Sequence, residues 1–327
     1  MSYKNKYFDP VNYSLTWAEN ENFNEFLNEL TDVPESKSLN NINITQAGIA
    51  NQSINLKIRW FQNEIATVYC EVELSVSLHW HRWIHMSRCE EVLFDASEQI
   101  FDNLDKAAIY IAEWLKMKQW AQSSFVKIRA IYFMPHLTHK TNRTSYDKVY
   151  LISDVALREN KLNLKTWVQA YNITACPCTR TYTKFSVVPK LYDLGLSTDI
   201  INKILSTTLT GTHTQRGTIK LLIENNEQKV THFDLFGVIN EATHLIFDLL
   251  KRPDEHDLVV RALSRPQFTE DVSRDVVEVL VKWLKDKIDD SAYILVESIL
   301  NDSIHIHDVK TVIESEFLKL VTEYTNE

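Results

Sequence analysis

Residues 54–78 read INLKIRWFQNEIATVYCEVELSVSL, and this stretch determines the fold class. Apolar side chains alternate with polar ones before and after a polar turn at residues 62–64, which is the period of a strand with one buried face. The alternating apolar positions are Ile54, Leu56, Ile58 and Trp60 before the turn, and Val68, Cys70, Val72, Leu74, Val76 and Leu78 after it. The stretch therefore predicts an antiparallel hairpin that buries one face.

The hydrophobic period changes after the hairpin. Between residues 90 and 120 the apolar positions fall at helical spacing, and Asp102-Asn103 predicts a cap that divides this segment into two helices. The helical apolar positions are Val92, Ala96, Ile100, Leu104, Ala108, Ile111 and Leu115. Two further strands are predicted over residues 125–134 and 149–157.

The second half of the chain repeats this order of elements without repeating its residues. The predicted elements are strands over residues 162–170 (continuing to Cys176), 218–224 and 292–299, and helices over residues 233–250 and 272–283. Two antiparallel sheets, each with helices on one face, indicate an α+β protein. We therefore expect an irregular lead-in over residues 1–40, a first module over 41–158 and a second module over 159–327.

The composition of the 327-residue chain, 44% hydrophobic and 24% charged, is typical of a globular protein. A net charge of −9 argues against a nucleic-acid-binding surface, although a local cluster of cations can still bind a phosphorylated small molecule. No apolar run is long enough to span a bilayer, and the N-terminus leads into no apolar signal core. With four cysteines in total, the chain is expected to be cytoplasmic, with reduced thiols.

Two thiols separated by one proline follow a predicted strand, in the sequence TACPCT at residues 174–179. A disulfide between Cys176 and Cys178 would be strained, whereas Pro177 fixes the backbone so that both thiolates can face one small volume. A thiolate with the imidazole of His213 is a ligand pair that suits zinc or ferrous iron. The alternative is a pair of buried free cysteines that only pack.

Three further segments carry reactive side chains. In LKRPDE, residues 250–255, Pro253 is expected to stop the preceding helix and leave the carboxylate of Glu255 on a fixed turn. In SIHIHD, residues 303–308, two histidines at i and i+2 of an extended segment point to the same face. The segment HMSR, residues 85–88, lies at a predicted strand-to-helix junction, where a helix N-terminus attracts anions.

Taken in order, these segments resemble the type IB GTP cyclohydrolases. The segments that carry the resemblance are CPC (176–178), THTQR (212–216), LKRPDE (250–255) and SIHIHD (303–308), with DVP (32–34), AGI (47–49), IHMSR (84–88) and RPQFTED (265–271). Their joint occurrence over about residues 30–310 is more specific than any one motif.

The resemblance implies tandem tunnelling-fold modules, a homotetramer with barrels closed by oligomerisation, and sites at subunit interfaces with one divalent metal per subunit (Fe²⁺, Zn²⁺ or Mn²⁺). It implies metal ligands at Cys176 and His213, and at a glutamate for which Glu241 is the candidate. It also implies catalytic roles for Cys176, Cys178, Glu255, His305 and His307. Substrate contacts fall on His85, Ser87, Arg88, Arg216 and Glu255, and Lys184 is a further candidate for the triphosphate.

The implied reaction is hydrolytic opening of the guanine imidazole ring of GTP with release of formate, the first step of pterin and folate-type biosynthesis. The product is a 7,8-dihydroneopterin phosphate, either a triphosphate or a 2′,3′-cyclic phosphate. The chain departs from the family at Trp83, where a glycine is usual, and in the long connection over residues 177–212, which is more similar to the archaeal branch.

Two other functions remain open from the sequence. The nitrile reductases of deazapurine metabolism share the implied fold, but they use NADPH, a covalent cysteine and no catalytic metal. A divergent, non-catalytic purine-binding protein is the other alternative. The histidines at positions 213, 305 and 307 favour the metal-dependent hydrolase.

Overall fold

The computed structural model describes residues 42–59, 64–79, 83–246 and 251–325. The predicted irregular lead-in, Trp60 and most of the predicted hairpin turn lie outside these residues. The strands are β1 (Ile44–Arg59), β2 (Ile65–Leu78), β3 (Ile100–Phe101), β4 (Ser123–Leu137), β5 (Thr144–Arg158), β6 (Lys161–Ala175), β7 (Thr214–Glu224), β8 (Tyr293–Asn301) and β9 (Asp308–Glu316).

The helices of the described residues lie between these strands and after β9. They are α1 (Met86–Glu98), α2 (Leu104–Lys118), α3 (Pro177–Ser186), α4 (Val188–Asp193), α5 (Thr198–Thr207), α6 (His232–Ala242), α7 (Arg252–Ser264), α8 (Thr269–Leu284) and α9 (Phe317–Thr325). None of them is long and apolar enough to cross a membrane. The predicted α+β class is confirmed.

The strands form one nine-stranded sheet in the order β3-β1-β2-β4-β5-β6-β7-β8-β9. All neighbours are antiparallel except β1 and β3, which pair in parallel over two positions. The two antiparallel sheets expected from the sequence are therefore joined edge to edge into one continuous sheet. A two-residue turn at Glu159 and Asn160, with φ of 47° and 74°, joins β5 to β6, so the sheet continues across the middle of the chain.

The predicted hairpin is formed by β1 and β2, and its alternating apolar positions within the described residues are buried except Ile54, which is half-buried. Leu56 and Ile58 on β1, and Val72 and Leu74 on β2, are at most 1% exposed. They belong to one hydrophobic cluster that also contains buried apolar residues of α6, α8 and β8 in the second half. A single core therefore extends under both halves of the sheet.

The predicted division of the first helical segment is confirmed. The side chain of Asn103 accepts a hydrogen bond of 2.8 Å from the amide of Lys106 and so caps α2. Ile100 was expected on a helix, but it lies in β3 and is 49% exposed. The two residues of β3 pair with the edge of β1, which interrupts the helical period at this point.

The predicted helix over residues 233–250 ends early, at Ala242. The next residues leave the helix because they pair with β6 beyond the point where β5 stops pairing with it. The amide of Ile173 donates to the carbonyl of His244 at 2.9 Å, and the amide of Ile246 donates to the carbonyl of Tyr171 at 3.0 Å. These bonds satisfy backbone groups of β6 that would otherwise lack partners.

A buried polar network connects the two halves beneath the sheet. The carboxylate of Asp105, on α2, is 3% exposed. It accepts hydrogen bonds from the hydroxyl of Ser153 on β5 at 2.6 Å and from that of Thr166 on β6 at 2.9 Å. The side chain of Asn225 donates to the Thr166 hydroxyl at 3.0 Å. Every member has a partner, as a buried polar group requires.

Candidate active site

Cys176 directly follows β6 and is the N-cap residue of α3. Its Sγ accepts a hydrogen bond of 3.4 Å from the amide of Thr179, and Pro177 occupies the first turn, where its missing N–H costs nothing. Cys178, two residues later, is exposed. The strand end and the helix start therefore fix the backbone on both sides of the Cys176 thiol.

His213 lies beside Cys176 because the β6–β7 ladder continues to the end of both strands. The last register pair is Ala175 with Thr214, and the amide of Cys176 then donates to the carbonyl of His213 at 3.1 Å. The hydroxyl of Thr212 donates to the carbonyl of Cys176 at 3.1 Å. These bonds close the base of the connection over residues 177–212.

The connection between β8 and β9 contributes the two histidines of the SIHIHD motif. The rings of His305 and His307 are stacked, with centroids 5.1 Å apart and an angle of 8° between their planes. The hydroxyl of Ser303 lies 3.2 Å from Nδ1 of His213, so this connection reaches the end of β7. A hydrogen bond from the amide of Ile304 is the main cause that lowers the pKa of the Asp302 carboxyl.

A cavity of about 410 Å³ brings these segments together. Five of the predicted site residues line it: Cys176, Cys178, His213, His305 and His307. The other lining residues are Thr179, Gln215, Phe268, Thr269, Glu270, Leu300, Asp302, Ile304 and Val309. The end of the β6–β7 ladder, the β8–β9 connection and the start of α8 thus form one concave site with thiol, imidazole and carboxyl groups.

Gln215 also lines the cavity, although the sequence motifs predicted no role for it. It is 9% exposed, and its Oε1 has no hydrogen-bond partner among the described residues. The strand period carried the signal: Gln215 shares the buried face of β7 with Gly217 and Ile219, whereas the neighbouring Arg216 lies on the other face and is exposed. A buried amide oxygen in this cavity can accept a hydrogen bond from a ligand.

Several predicted site residues lie elsewhere in this chain. Glu241 is exposed in the last turn of α6, and Glu255 is exposed in the first turn of α7. Pro253 was expected to stop a helix, but it occupies the first turn of α7 and starts one. Arg216 and Lys184 also lie outside the set of residues that line the cavity. Their assigned roles remain predictions.

The predicted anion-binding segment lies at the start of α1. The His85 amide and carbonyl both bond the side chain of Gln119, at 3.1 and 2.7 Å. Arg88 donates to the carbonyl of Lys118 at 3.2 Å, and its guanidinium lies 4.3 Å from the centroid of the Trp120 ring. Ser87 is exposed. These three residues do not line the Cys176 cavity.

The donor groups in the cavity partly fit a divalent metal. A thiol and an imidazole on one cavity wall are ligand types that zinc and ferrous iron accept. Within the described ranges, however, no three His, Cys, Asp or Glu side chains are grouped closely enough to hold an ion. Cys176 and His213 are therefore two candidate ligand groups, with no third such group close enough beside them in the described part of the chain.

Comparisons with known proteins identify the family. The family model described as type I GTP cyclohydrolase folE2 matches residues 30–311. "GTP cyclohydrolase MptA" of Methanococcus maripaludis is 26% identical over 86% of this chain and 93% of its own length. "GTP cyclohydrolase FolE2" of Dictyoglomus thermophilum is 28% identical over 89% of this chain and 100% of its own length.

Among solved structures, a uricase from Bacillus fastidious aligns with a TM-score of 0.47 and 7% identity, over 87% of this chain and 97% of that chain. The family model matches the sequence itself over residues 30–311, and this range includes every residue that lines the cavity. This chain therefore belongs to the type I GTP cyclohydrolase folE2 family.

Proposed function

We propose that this protein is a metal-dependent GTP cyclohydrolase that opens the imidazole ring of guanine, releases formate and yields a 7,8-dihydroneopterin phosphate. The observation that supports the proposal best is the shared cavity of Cys176, His213, His305 and His307, which unites three separate family motifs. Ring opening requires an activated water and proton delivery to nitrogen. The thiols and imidazoles that line the cavity are suited to binding a metal that activates water and to transferring protons.

The proposed metal ligands on this chain are Cys176 and His213. A divalent ion held there supplies Lewis acidity, which lowers the pKa of water to about 7 in favourable zinc sites. Cys178, His305 and His307 are the groups in the cavity that can deliver or accept the protons of ring opening. The ion is one Fe²⁺, Zn²⁺ or Mn²⁺ per subunit.

Glu255 is the proposed guanine anchor. A carboxylate accepts both N–H donors on the Watson–Crick edge of guanine, and adenine lacks this pair of donors. Such a contact discriminates strongly, because a purine that cannot donate leaves the carboxylate without a partner. Arg88, Arg216 and Lys184 are the proposed partners of the phosphates, which need nearby positive charge.

We further propose that the working enzyme is a homotetramer whose sites lie between subunits. Two observations support this assembly. The residues proposed for guanine and phosphate do not line the Cys176 cavity of their own chain. The sheet also ends in β3 and β1 on one side and in β9 on the other, and such edges are normally paired or covered.

The experiment that tests the proposed function is an anaerobic assay of the purified protein with GTP and added Fe²⁺, Mn²⁺ or Zn²⁺. Ring opening removes the purine absorbance, and oxidation of the product generates a fluorescent pterin. Mass spectrometry then separates a linear triphosphate from a 2′,3′-cyclic phosphate. A protein that binds GTP but leaves the purine intact with all three metals would contradict the proposal.

A further inference from the structure

The first turn of α7 is attached to the other half of the chain by one buried carboxylate. Asp254 is 3% exposed, although it lies at a helix N-terminus. Its Oδ1 accepts hydrogen bonds from the amides of Lys140 at 3.0 Å and Thr141 at 3.1 Å, and its Oδ2 accepts one of 2.5 Å from the Thr141 hydroxyl. These donors belong to the turn between β4 and β5.

A second aspartate strengthens the same attachment. Asp257 lies three residues further along α7, on the same helix face as Asp254. Its carboxylate is 3.2 Å from Nζ of Lys140 and 3.3 Å from Nδ1 of His139. The turn between β4 and β5 is therefore held by two successive contacts along the helix, which fix the rotation of the helix about its axis as well as its position.

The residues of α7 that precede Asp254 do not attach the helix start to the turn between β4 and β5. Lys251, the N-cap residue, makes no side-chain cap hydrogen bond, so the usual means of holding a helix start is missing. Pro253 fixes its own φ but does not attach the turn to another element. The three hydrogen bonds to Asp254 therefore attach the first turn of α7 to the turn between β4 and β5 at the residue that precedes Glu255.

We propose that Asp254 is a positioning residue that aims the Glu255 carboxylate, so that the turn between β4 and β5 sets guanine recognition from the first half of the chain. The inference rests on the proposed function, in which Glu255 anchors guanine. Residues one apart on a helix point about 100° away from each other. Asp254 can therefore be buried against the turn while Glu255 remains exposed and free to face a substrate.

The test compares GTP with inosine triphosphate, which lacks the 2-amino group and so offers Glu255 one donor fewer. The wild type is expected to prefer GTP by about tenfold to a hundredfold in kcat/KM. Asp254→Ala removes all three acceptor contacts. The variant should reduce kcat/KM for GTP by up to about a hundredfold, because a small misplacement of the Glu255 carboxylate has an effect of that size. The loss for inosine triphosphate should be smaller.

Two milder variants keep the test informative if Asp254→Ala does not fold. Asp254→Asn retains an oxygen for the amides of Lys140 and Thr141, and should therefore preserve more of the GTP preference than alanine does. Thr141→Val removes one donor hydroxyl and should lower the preference by a few fold. The matched control is Asp105→Asn, which alters an equally buried carboxylate that also accepts from hydroxyls, in another part of the fold.

The outcomes separate the inference from the function on which it rests. A graded loss of GTP preference at positions 254 and 141, with unchanged preference in folded Asp105→Asn, supports the positioning role. An unchanged preference in folded Asp254→Asn and Thr141→Val, or an equal loss in the control, overturns it. A wild type that does not distinguish the two nucleotides overturns the guanine role of Glu255 itself.

Discussion

The backbone amide of Cys176 donates a hydrogen bond of 3.1 Å to the carbonyl oxygen of His213. The bond uses main-chain atoms only, so it holds the two proposed metal ligands together whatever their side chains are. It also ends the β6–β7 ladder at the edge of the cavity. Changes to either side chain should therefore alter chemistry while leaving the end of the β6–β7 ladder intact, although a change at Cys176 also removes the Sγ cap of α3.

Cys176→Ala is expected to abolish bound metal and GTP turnover while the protein remains folded. The substitution removes the proposed thiolate ligand, but the amide and carbonyl of residue 176 still make their hydrogen bonds. Elemental analysis, activity and circular dichroism measure the three properties. Cys89→Ala is the control, since this buried thiol lies outside the cavity. A metal-loaded, active Cys176→Ala protein would remove Cys176 from the ligand set.

The four thiols are expected to react in two classes with iodoacetamide at pH 8. Burial raises the pKa of Cys70 to about 12 and that of Cys89 to about 11, so both remain protonated thiols at this pH. Cys178 is exposed and Cys176 partly exposed, so the reagent reaches them. Mass spectrometry should find alkyl groups at these two positions in the native protein. Added Zn²⁺ should slow the reaction of Cys176. Labelling of native Cys70 at a similar rate would contradict this division.

Glu255→Gln is expected to impair GTP turnover strongly while metal content changes little. The amide has the same shape, but it replaces one acceptor with a donor that opposes the donors of guanine. The lost recognition should cost about 2–3 kcal/mol, or roughly a hundredfold in kcat/KM. Glu270→Gln, on the wall of the Cys176 cavity, is the comparison variant. Wild-type kinetics in Glu255→Gln would make Glu255 a structural residue of the helix start.

Asp254 should contribute to stability in a pH-dependent way. Burial opposes ionisation of its carboxyl, but the hydrogen bonds from Thr141 and Lys140 outweigh burial and lower its pKa. A carboxyl with a lowered pKa stabilises the fold above its unfolded pKa of about 3.9, and this contribution disappears as the pH falls through the folded pKa. The Tm of wild type should exceed that of Asp254→Asn at pH 7, and the difference should shrink below about pH 4. A difference that is constant from pH 7 to pH 3 would be the contrary result.

Light scattering of the purified protein is expected to give the mass of four 38.2 kDa chains. Charged substitutions on β9, such as Val312→Lys, should shift the protein toward smaller species and lower the activity per chain. Val312 is 44% exposed, and among the described strands β9 pairs on one side only. A stable and active monomer at the concentration of the assay would exclude both the closed barrel and the shared site.

The periodic parts of the fold could be predicted from the sequence. The hairpin of β1 and β2 follows from strict alternation, and the capped start of α2 follows from Asn103. The early end of α6 could not be predicted in this way, because the residues after Ala242 keep an apolar character and leave the helix only to pair with β6. Pairing with β6, which is distant in sequence, sets the C-terminal boundary of α6. Local helix propensity does not include such long-range pairing.

The candidate site, too, could be predicted from the sequence only in part. Cys176, His213 and the two stacked histidines were selected by residue type, and the structure brings them to one cavity. Gln215 was not predicted, because its neutral amide neither titrates nor acts as a nucleophile and so carries no chemical signal in the sequence. In the proposed tetramer, the position of Glu255 relative to the cavity would depend on how the chains assemble, and the sequence of one chain does not specify that arrangement.

The two-residue turn between β5 and β6 has a mechanical consequence. Nine register pairs, from Tyr150–Gln169 to Arg158–Lys161, connect the halves directly after that turn, and there is no linker about which they could rotate. A hinge motion that closed one half over the other would have to break this ladder and expose the core below it. Any rearrangement of the Cys176 cavity is therefore expected in the segments that form its wall, such as the β8–β9 connection, rather than between the two halves of the sheet.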